Sequence, residues 1–308
     1  MKRYITVDGG TTNTRVYLVE DGEVRDTVKI PVGSNSPGSK AQLTEELRKA
    51  ISALLSSNGL SEGDITRIIA SGMITSEFGI YKLDHTLAPA GIEDLKRGSR
   101  EVTLEEISAI PFFFICGVKA LGESAFDCNM MRGEETELMG IMKVGDGDSI
   151  YLLPGSHSKI IRVNGDGRIF DFRTTLTGEM IAALTKNTIL STCIDLSASL
   201  YTPALLEGYK FTDENGISES LIKTRALQTL MKKDADYLYS FFLGSILHSE
   251  IKSIIRMPEN NVVIGGRREI RHALGELLRN LSTKCVRELS DAEVNSSVTS
   301  GAVRIFEL

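Results

Sequence analysis

The chain has 308 residues, room for two ordinary domains, and its 25% charged and 42% hydrophobic residues are the balance of a globular rather than a disordered protein. Its formal charge is −6, from 35 basic and 41 acidic side chains. That excludes a bulk positive field recruiting nucleic acid or an anionic membrane, but not a small anionic ligand, which needs only local positive charge.

Residues 4–7 are an apolar run ending at Asp8, so the chain enters a strand almost at once and its start does not read as a targeting segment. The loop that follows holds Gly9, Gly10, Thr11, Thr12 and Thr14, and then RVYLV and VRDTVKI flank Asp21-Gly22, a strong two-residue hairpin turn. The loop admits two readings. Glycines let backbone N–H groups approach a phosphate, threonine hydroxyls add donors, and a carboxylate such as Asp8 holds hydrated Mg²⁺. Alternatively it is a polar turn in which Asp8 caps a neighbouring N–H.

Between residues 41 and 55, apolar side chains recur at helical spacing, with Gly59 just beyond. ITRIIASGMI reads as a buried strand opening into a glycine turn, and AIPFFFICGV as a buried strand too short to span a bilayer. In NMMRGEETELMGIMK, Gly133 precedes a helix whose stripe is Leu138, Ile141 and Met142, with Glu134 and Glu135 in its first turn. Acids there are stabilised by the helix dipole, which is one explanation of them. The other is that one of them accepts the proton of an attacking hydroxyl; adjacent residues point in different directions on a helix, so only one can do so.

The opening pattern then recurs. IYLL is a short strand, PGSHS a small-residue loop, and KIIRV, NGDG and RIFDF make a second hairpin. Two copies of one strand–loop–hairpin unit point to two related domains, residues 1–145 and 146–308, facing each other across a cleft, although two unrelated hairpins would give the same pattern. NNVVIGGRREIRHAL reads as a strand, a Gly265-Gly266 turn and a basic helix, and the chain closes on a terminal helix that packs back on the first domain. The four cysteines, Cys116, Cys128, Cys193 and Cys285, show no CxxC spacing and suit free thiols in the cytoplasm.

Several chemistries lack their motif. GSNSPGSK (residues 33–40) places its lysine one residue too late for GxxxxGK[ST], no GxGxxG follows a strand, HExxH is absent, and His85, His157, His248 and His272 are dispersed. Aromatic residues are 6%, with no basic-aromatic strip for single-stranded nucleic acid.

VDGGTTNTR resembles the first phosphate loop of the superfamily of actin, heat-shock chaperone ATPases and sugar kinases. GSHSK stands where its second phosphate loop belongs, and VVIGG resembles its adenosine motif. MRGEETELMGI, LLPGSHSKIIRV and DFRTTLTGEM further resemble, in order and spacing, the signature blocks of 2-keto-3-deoxygalactonate kinases, and the resemblance runs over nearly the whole chain. It implies an α/β, two-domain ribonuclease H-like (actin-like ATPase) fold with two related domains around a nucleotide cleft. It also implies ATP- and Mg²⁺-dependent phosphorylation of the terminal 6-hydroxyl of 2-keto-3-deoxygalactonate in galactonate breakdown.

On that resemblance Asp8, Gly10, Thr11 and Thr12 act on phosphate and Mg²⁺, with Asp8 as the metal's carboxylate. Gly155, Ser156 and Ser158 form the second phosphate loop, and Gly265 and Gly266 the adenosine turn. RGEETELMG also resembles the acidic segment of exopolyphosphatases, which makes Glu134 the first choice of base, Glu135 the second and Asp171, near a strand end, the third. Arg132 and Arg173 are expected at the substrate carboxylate, His157 as an orienting donor, and Lys159 either in the site or solvent-facing at a strand start. The family often carries a bulky aromatic after the first Asp, where this chain has Gly9. The partner expected is a small acid sugar, with no nucleic acid and no membrane, and a homodimer is left open. An exopolyphosphatase-like phosphohydrolase and a non-catalytic ATP-gated scaffold are the competing readings.

Overall fold

The computed structural model describes residues 2–34, 39–143, 145 and 147–308. Residues 35–38, the centre of GSNSPGSK, lie outside these. The chain forms two compact units. One comprises Met1–Asp146, Asn164–Asp171 and Ser290–Leu308, and the other Gly147–Val163 and Phe172–Leu289.

In chain order the first stretch contains β1 (Arg3–Gly9), β2 (Thr14–Glu20), β3 (Glu23–Ile30), α1 (Ser39–Ser57), β4 (Arg67–Gly72), β5 (Thr86–Leu87), α2 (Ile92–Gly98), β6 (Arg100–Leu104), β7 (Ser108–Phe114), β8 (Val118–Ala120), β9 (Asn129–Met131) and α3 (Glu134–Ile141). Then follow β10 (Ser149–Leu153), β11 (Ser158–Val163), β12 (Ile169–Thr175), α4 (Thr177–Asn187), α5 (Thr202–Asn215), α6 (Ile217–Thr229), α7 (Ala235–Ile255), β13 (Asn261–Ile264), α8 (Arg268–Leu281), β14 (Cys285–Glu288) and α9 (Asp291–Glu307).

The two main sheets are variations on one order. The first is β3-β2-β1-β4-β7-β6 and the second β12-β11-β10-β13-β14. In each, a central strand pairs antiparallel with the next strand of its hairpin (β1 with β2, β10 with β11) and parallel with a later one (β1 with β4, β10 with β13). The β2–β3 turn works as its sequence predicts: Asp21 and Gly22 both take positive φ, 49° and 87°, as a hairpin turn following the strand twist requires. The central strands are buried on both faces, which is why VDGG and YLLP are preceded by near-continuous apolar runs rather than alternation.

In the first unit α9 crosses α3 backbone to backbone. A Cβ on Gly140 would lie 1.9 Å from the Ser297 carbonyl oxygen, and one on Gly301 1.8 Å from that of Thr136. Arg304 donates to the carbonyls of Met139 and Met142, satisfying the open end of α3. Met142, expected on the helical stripe, is extended and lies past the helix end; Thr136, Leu138, Met139 and Ile141 are the buried residues of its body. In the second unit α7 is buried on nearly every side and packs into a core with Leu205, Ile264 and Leu274. All four cysteines are free thiols, Cys116 and Cys193 buried. Among the described residues no helix is long and apolar enough to cross a membrane.

Candidate active site

The first unit brings three backbone ends together: the end of β1 at Gly9, the end of β4 at Gly72, and Gly133, which precedes α3. A Cβ on Gly72 would stand 2.5 Å from the Gly9 carbonyl oxygen, and one on Gly133 3.3 Å from the Gly72 Cα. Gly72 and Gly133 also take positive φ, 81° and 115°, so glycine is required twice over. Gly9 itself is filled against Ile74, whose Cβ lies 2.6 Å from where a side chain would begin. The bulky aromatic expected here from the resemblance has no room at this position, because Ile74 occupies it.

Asp8 sits one residue before this junction. Its carboxylate meets Arg15 across the β1–β2 ladder at 3.2 Å. Burial pushes its pKa up, Arg15 draws it down, and the charge of Glu134 adds a smaller upward push. The loop beyond is closed by its own backbone: Gly10 N–H donates to the Asn13 carbonyl at 2.9 Å, and Ser34 N–H to that of Gly10 at 3.2 Å. Gly33 supports it from behind, since a Cβ there would fall 2.4 Å from the Thr11 carbonyl carbon. Thr11 is half-buried, and Thr12 is exposed, its hydroxyl accepting from Asn13 Nδ2.

Two buried hydroxyls beside this loop have no hydrogen-bond partner among the described residues: Ser34 Oγ, and Ser71 Oγ on β4, directly across the parallel ladder from Asp8. A buried hydroxyl left unpaired costs on the order of 1–3 kcal/mol, so such groups mark places where a ligand or water completes the pairing. In the sequence Gly33-Ser34 belongs to a stretch that misses the P-loop spacing and Ser71 to a strand end, and neither position carries a motif of its own.

The first turn of α3 divides its acids. Glu135 is fully buried, and both of its carboxylate oxygens accept from Gly133 N–H, at 2.9 and 2.8 Å, while Thr136 Oγ1 donates to one of them. Burial, then the neighbouring Glu134 charge, pushes its pKa up to about 7. Glu134 is half-buried and accepts from Arg132 N–H at 3.2 Å. Glu137, one helical turn on and on the same face as Glu134, is pushed up to about 8 by burial and by the charges of Glu134 and Asp8, eased by a hydrogen bond with Ser297. Asp8, Glu134 and Glu137 therefore form one mutually repelling set. The three-residue spacing of Glu134 and Glu137 is the signal in the sequence for the third member.

Arg132 is tied into the same unit. Its guanidinium donates to the Thr75 carbonyl (2.8 Å) and hydroxyl (2.6 Å) and to the Leu83 carbonyl (2.9 Å), and it lies 3.2 Å from His85. His85 is pushed down to about 4 by burial and then by Arg132, so its ring stays neutral at pH 7. These contacts clamp the turn after β4 to the start of α3.

The second unit repeats the backbone packing with different side chains. Gly178, in the first turn of α4, fits against the loop, where a Cβ would meet the Gly155 carbonyl oxygen at 2.0 Å, and Glu179 N–H donates to the Ser156 carbonyl. Gly266, at φ 69°, lies over Pro154, whose carbonyl oxygen would be 2.3 Å from a Cβ, and Gly265 N–H donates to Leu152. The second loop and the Gly265-Gly266 turn are thus neighbours. Ser158 Oγ is buried without a hydrogen-bond partner among the described residues. Lys159 is buried rather than solvent-facing, its ammonium donating to the His157 carbonyl, and His157 Nε2 meets Glu179 at 2.9 Å. Buried Glu250 on α7 accepts from the hydroxyls of both Thr175 and Thr177, fixing the start of α4 against the loop.

Asp171 is half-buried in β12. Arg173 is exposed, donates to Ser253 Oγ at 3.0 Å, and lines a different concavity with Arg162, Lys252 and Arg256.

The family model of 2-keto-3-deoxy-galactonokinase matches residues 8–300. The chain belongs to that family. It is 25% identical over 255 residues to the 2-dehydro-3-deoxygalactonokinase of Escherichia coli (strain K12), covering 82% of this chain and 80% of that one. A solved Sinorhizobium meliloti structure, described as a candidate 2-dehydro-3-deoxygalactonokinase, superposes with a TM-score of 0.79 at 20% identity, over 99% of this chain and 100% of the other. The ADPNP-bound activator of 2-hydroxyisocaproyl-CoA dehydratase from Clostridium difficile matches at a TM-score of 0.52 and 12% identity, over 99% and 94%. The fold is the actin-like ATPase and sugar-kinase α/β fold, and the family is one of carbohydrate kinases using ATP as phosphate donor.

The residues present fit Mg²⁺ and nucleotide phosphate. Among the described residues no group of three or more metal-ligating side chains is arranged around a point. Mg²⁺ does not need one, since it takes one or two carboxylates together with water and phosphate oxygens. Asp8, half-buried and next to a glycine-lined loop, has its pKa pushed up by desolvation and, less, by Glu134, an electrostatic cost that a divalent cation would relieve.

Proposed function

We propose that this protein transfers the γ-phosphoryl group of ATP to the terminal 6-hydroxyl of 2-keto-3-deoxygalactonate, with Glu134 as general base. The observation that carries the reading is the Gly9–Gly72–Gly133 junction, which fixes the start of α3, and so Glu134, beside Asp8 at the end of β1. Mg²⁺, held by Asp8, would neutralise charge on the β- and γ-phosphates. In the transfer the substrate O6–phosphorus bond forms as the bond from phosphorus to the β–γ bridging oxygen breaks. The hydroxyl proton passes to Glu134, and ADP leaves. Thr11, Thr12 and the Gly10 backbone, with Ser34 and Ser71, are the phosphate donors of the first unit. Those of the second unit are Gly155, Ser156, Ser158 and Lys159, and its Gly265-Gly266 turn takes the adenosine.

Glu135 is a positioning residue in this reading, because its carboxylate holds the Gly133 N–H. Arg132 orders the loops around the base through Thr75 and Leu83, and a sugar-acid carboxylate would approach it from its remaining donors. The test is ADP release from Mg·ATP with a panel of acid sugars that includes 2-keto-3-deoxygalactonate and its gluconate epimer. Stimulation by the galactonate form, lost in Glu134→Gln with nucleotide binding retained, supports the reaction and the base. Nucleotide binding without stimulation by any acid sugar removes the kinase reading in favour of a phosphohydrolase or a scaffold.

A further inference from the structure

In the second unit an open cavity of about 570 Å³ is lined by Arg162, Arg173, His248, Lys252, Ser253 and Arg256, with no acidic residue on its wall. The cations converge from three elements: Arg162 from β11, Arg173 from β12, and Lys252 and Arg256 from the end of α7. Two carboxylates behind them balance only part of this charge. Arg162 pairs with Glu259 at 2.6 Å, and Lys252 and His248 both meet Asp213. Arg173 donates to the neutral Ser253 Oγ, and among the described residues neither Arg173 nor Arg256 forms an ion pair. Arg173 and Arg256 are thus two permanent cations on this wall without an ion-paired carboxylate among the described residues, in a chain whose formal charge is −6.

A cation near a helix C-terminus is favoured by the dipole, which accounts for Lys252 and Arg256. It does not account for two arginines brought from β-strands to the same concavity. Like charges held together repel unless an anion joins them, and guanidinium groups with unused N–H donors match phosphate oxygens in pairs. The position also separates this cavity from the second phosphate loop. Arg162 pairs with Ile150 near the start of β10, whereas the loop follows Leu153 at its other end, about 10 Å along the strand at the usual rise.

We propose that this cavity is a second anion site, distinct from the nucleotide phosphate loops, that binds a small phosphate dianion. The two positive charges of Arg173 and Arg256 match the charge of such a group, and the cavity has room for inorganic phosphate or a small phosphate monoester. The site does not depend on the proposed reaction.

Calorimetric titration of the full chain, preloaded with a non-hydrolysable ATP analogue, with inorganic phosphate and separately with glycerol 3-phosphate tests it. Potassium chloride of equal ionic strength is the control. Binding of phosphate to the wild type, about tenfold weaker in Arg173→Gln/Arg256→Gln, is the expected result. Tighter binding of the ester than of free phosphate identifies an organic phosphate as the ligand, and equal binding identifies the free ion. Both side chains are exposed, and Arg256→Gln alone serves if the double variant does not fold. Equal affinity in wild type and variant, or no binding to the wild type at millimolar phosphate, overturns the proposal.

Discussion

In the first unit the central strand ends on a carboxylate, Asp8, and the helix that meets its end brings Glu134 and Glu137. In the second, the central strand ends at Leu153, and the polar groups that follow are a hydroxyl and an ammonium, Ser158 and Lys159. The sheets share one strand order, and both loops are pressed by glycines against a neighbouring backbone, Gly72 and Gly133 in one and Gly178 and Gly266 in the other. The difference therefore lies in charge and not in scaffold. Carboxylates suit holding a cation and accepting a proton; a buried lysine and an unpaired serine suit holding an anion. In the proposed reading the repeated motif is divided between chemistry and grip.

The largest effect that would break this division is at Glu134. Glu134→Gln should lower kcat by about 100- to 10,000-fold, with nucleotide affinity nearly unchanged. Loss of nucleotide affinity with a preserved kcat would make Glu134 part of the grip.

The junction comes next. Gly72→Ala places a Cβ at φ 81° and 2.5 Å from the Gly9 carbonyl oxygen. It should cost on the order of 1–3 kcal/mol in strain alone, read from urea denaturation. It should also lower kcat by moving α3, while the matching Gly266→Ala should raise KM for ATP more than it lowers kcat.

Ser158→Ala sharpens the contrast. Its hydroxyl has no partner among the described residues, so stability should change by less than about 0.5 kcal/mol or rise slightly, while KM for ATP increases severalfold. A clear loss of stability would mean that the hydroxyl has a structural partner.

The smallest effect is in pH dependence. Folded Glu135 and Glu137 titrate at about 7 and about 8, above the ordinary 4.5, so the folded state holds their protons more tightly than the unfolded chain does. Stability is accordingly fullest below about 4.5 for these two groups, and it falls as pH rises through 7 and 8. Glu137→Gln should flatten the upper part of that fall between pH 6.5 and 8.5, and saturating Mg²⁺ should reduce it in the wild type. Parallel denaturation curves for variant and wild type across that range would remove Glu137 from the acidic set.

What could be read beforehand follows the range of the interactions. The Asp21-Gly22 hairpin, the apolar strands before Asp8 and Pro154, and the repeat of strand, loop and hairpin are local patterns, and each was visible in the sequence. Ser34, Ser71 and Glu137 were not, because their importance arises only when β4, the segment after β3 and α9 are packed around the loop. Arg132 carries the same lesson: a charge beside a candidate base suggests a substrate contact, yet its donors reach Thr75 and Leu83, more than forty positions away. α7 gave no helical stripe to read, since it is apolar on nearly every side.

The most direct measurement is the fate of the ATP γ-phosphorus, followed by ³¹P NMR in the presence of Mg²⁺ and 2-keto-3-deoxygalactonate. The account predicts a new phosphomonoester signal coupled to the protons on C6, growing with ADP and absent in Glu134→Gln. Inorganic phosphate accumulating at the same rate with or without the sugar acid would contradict it.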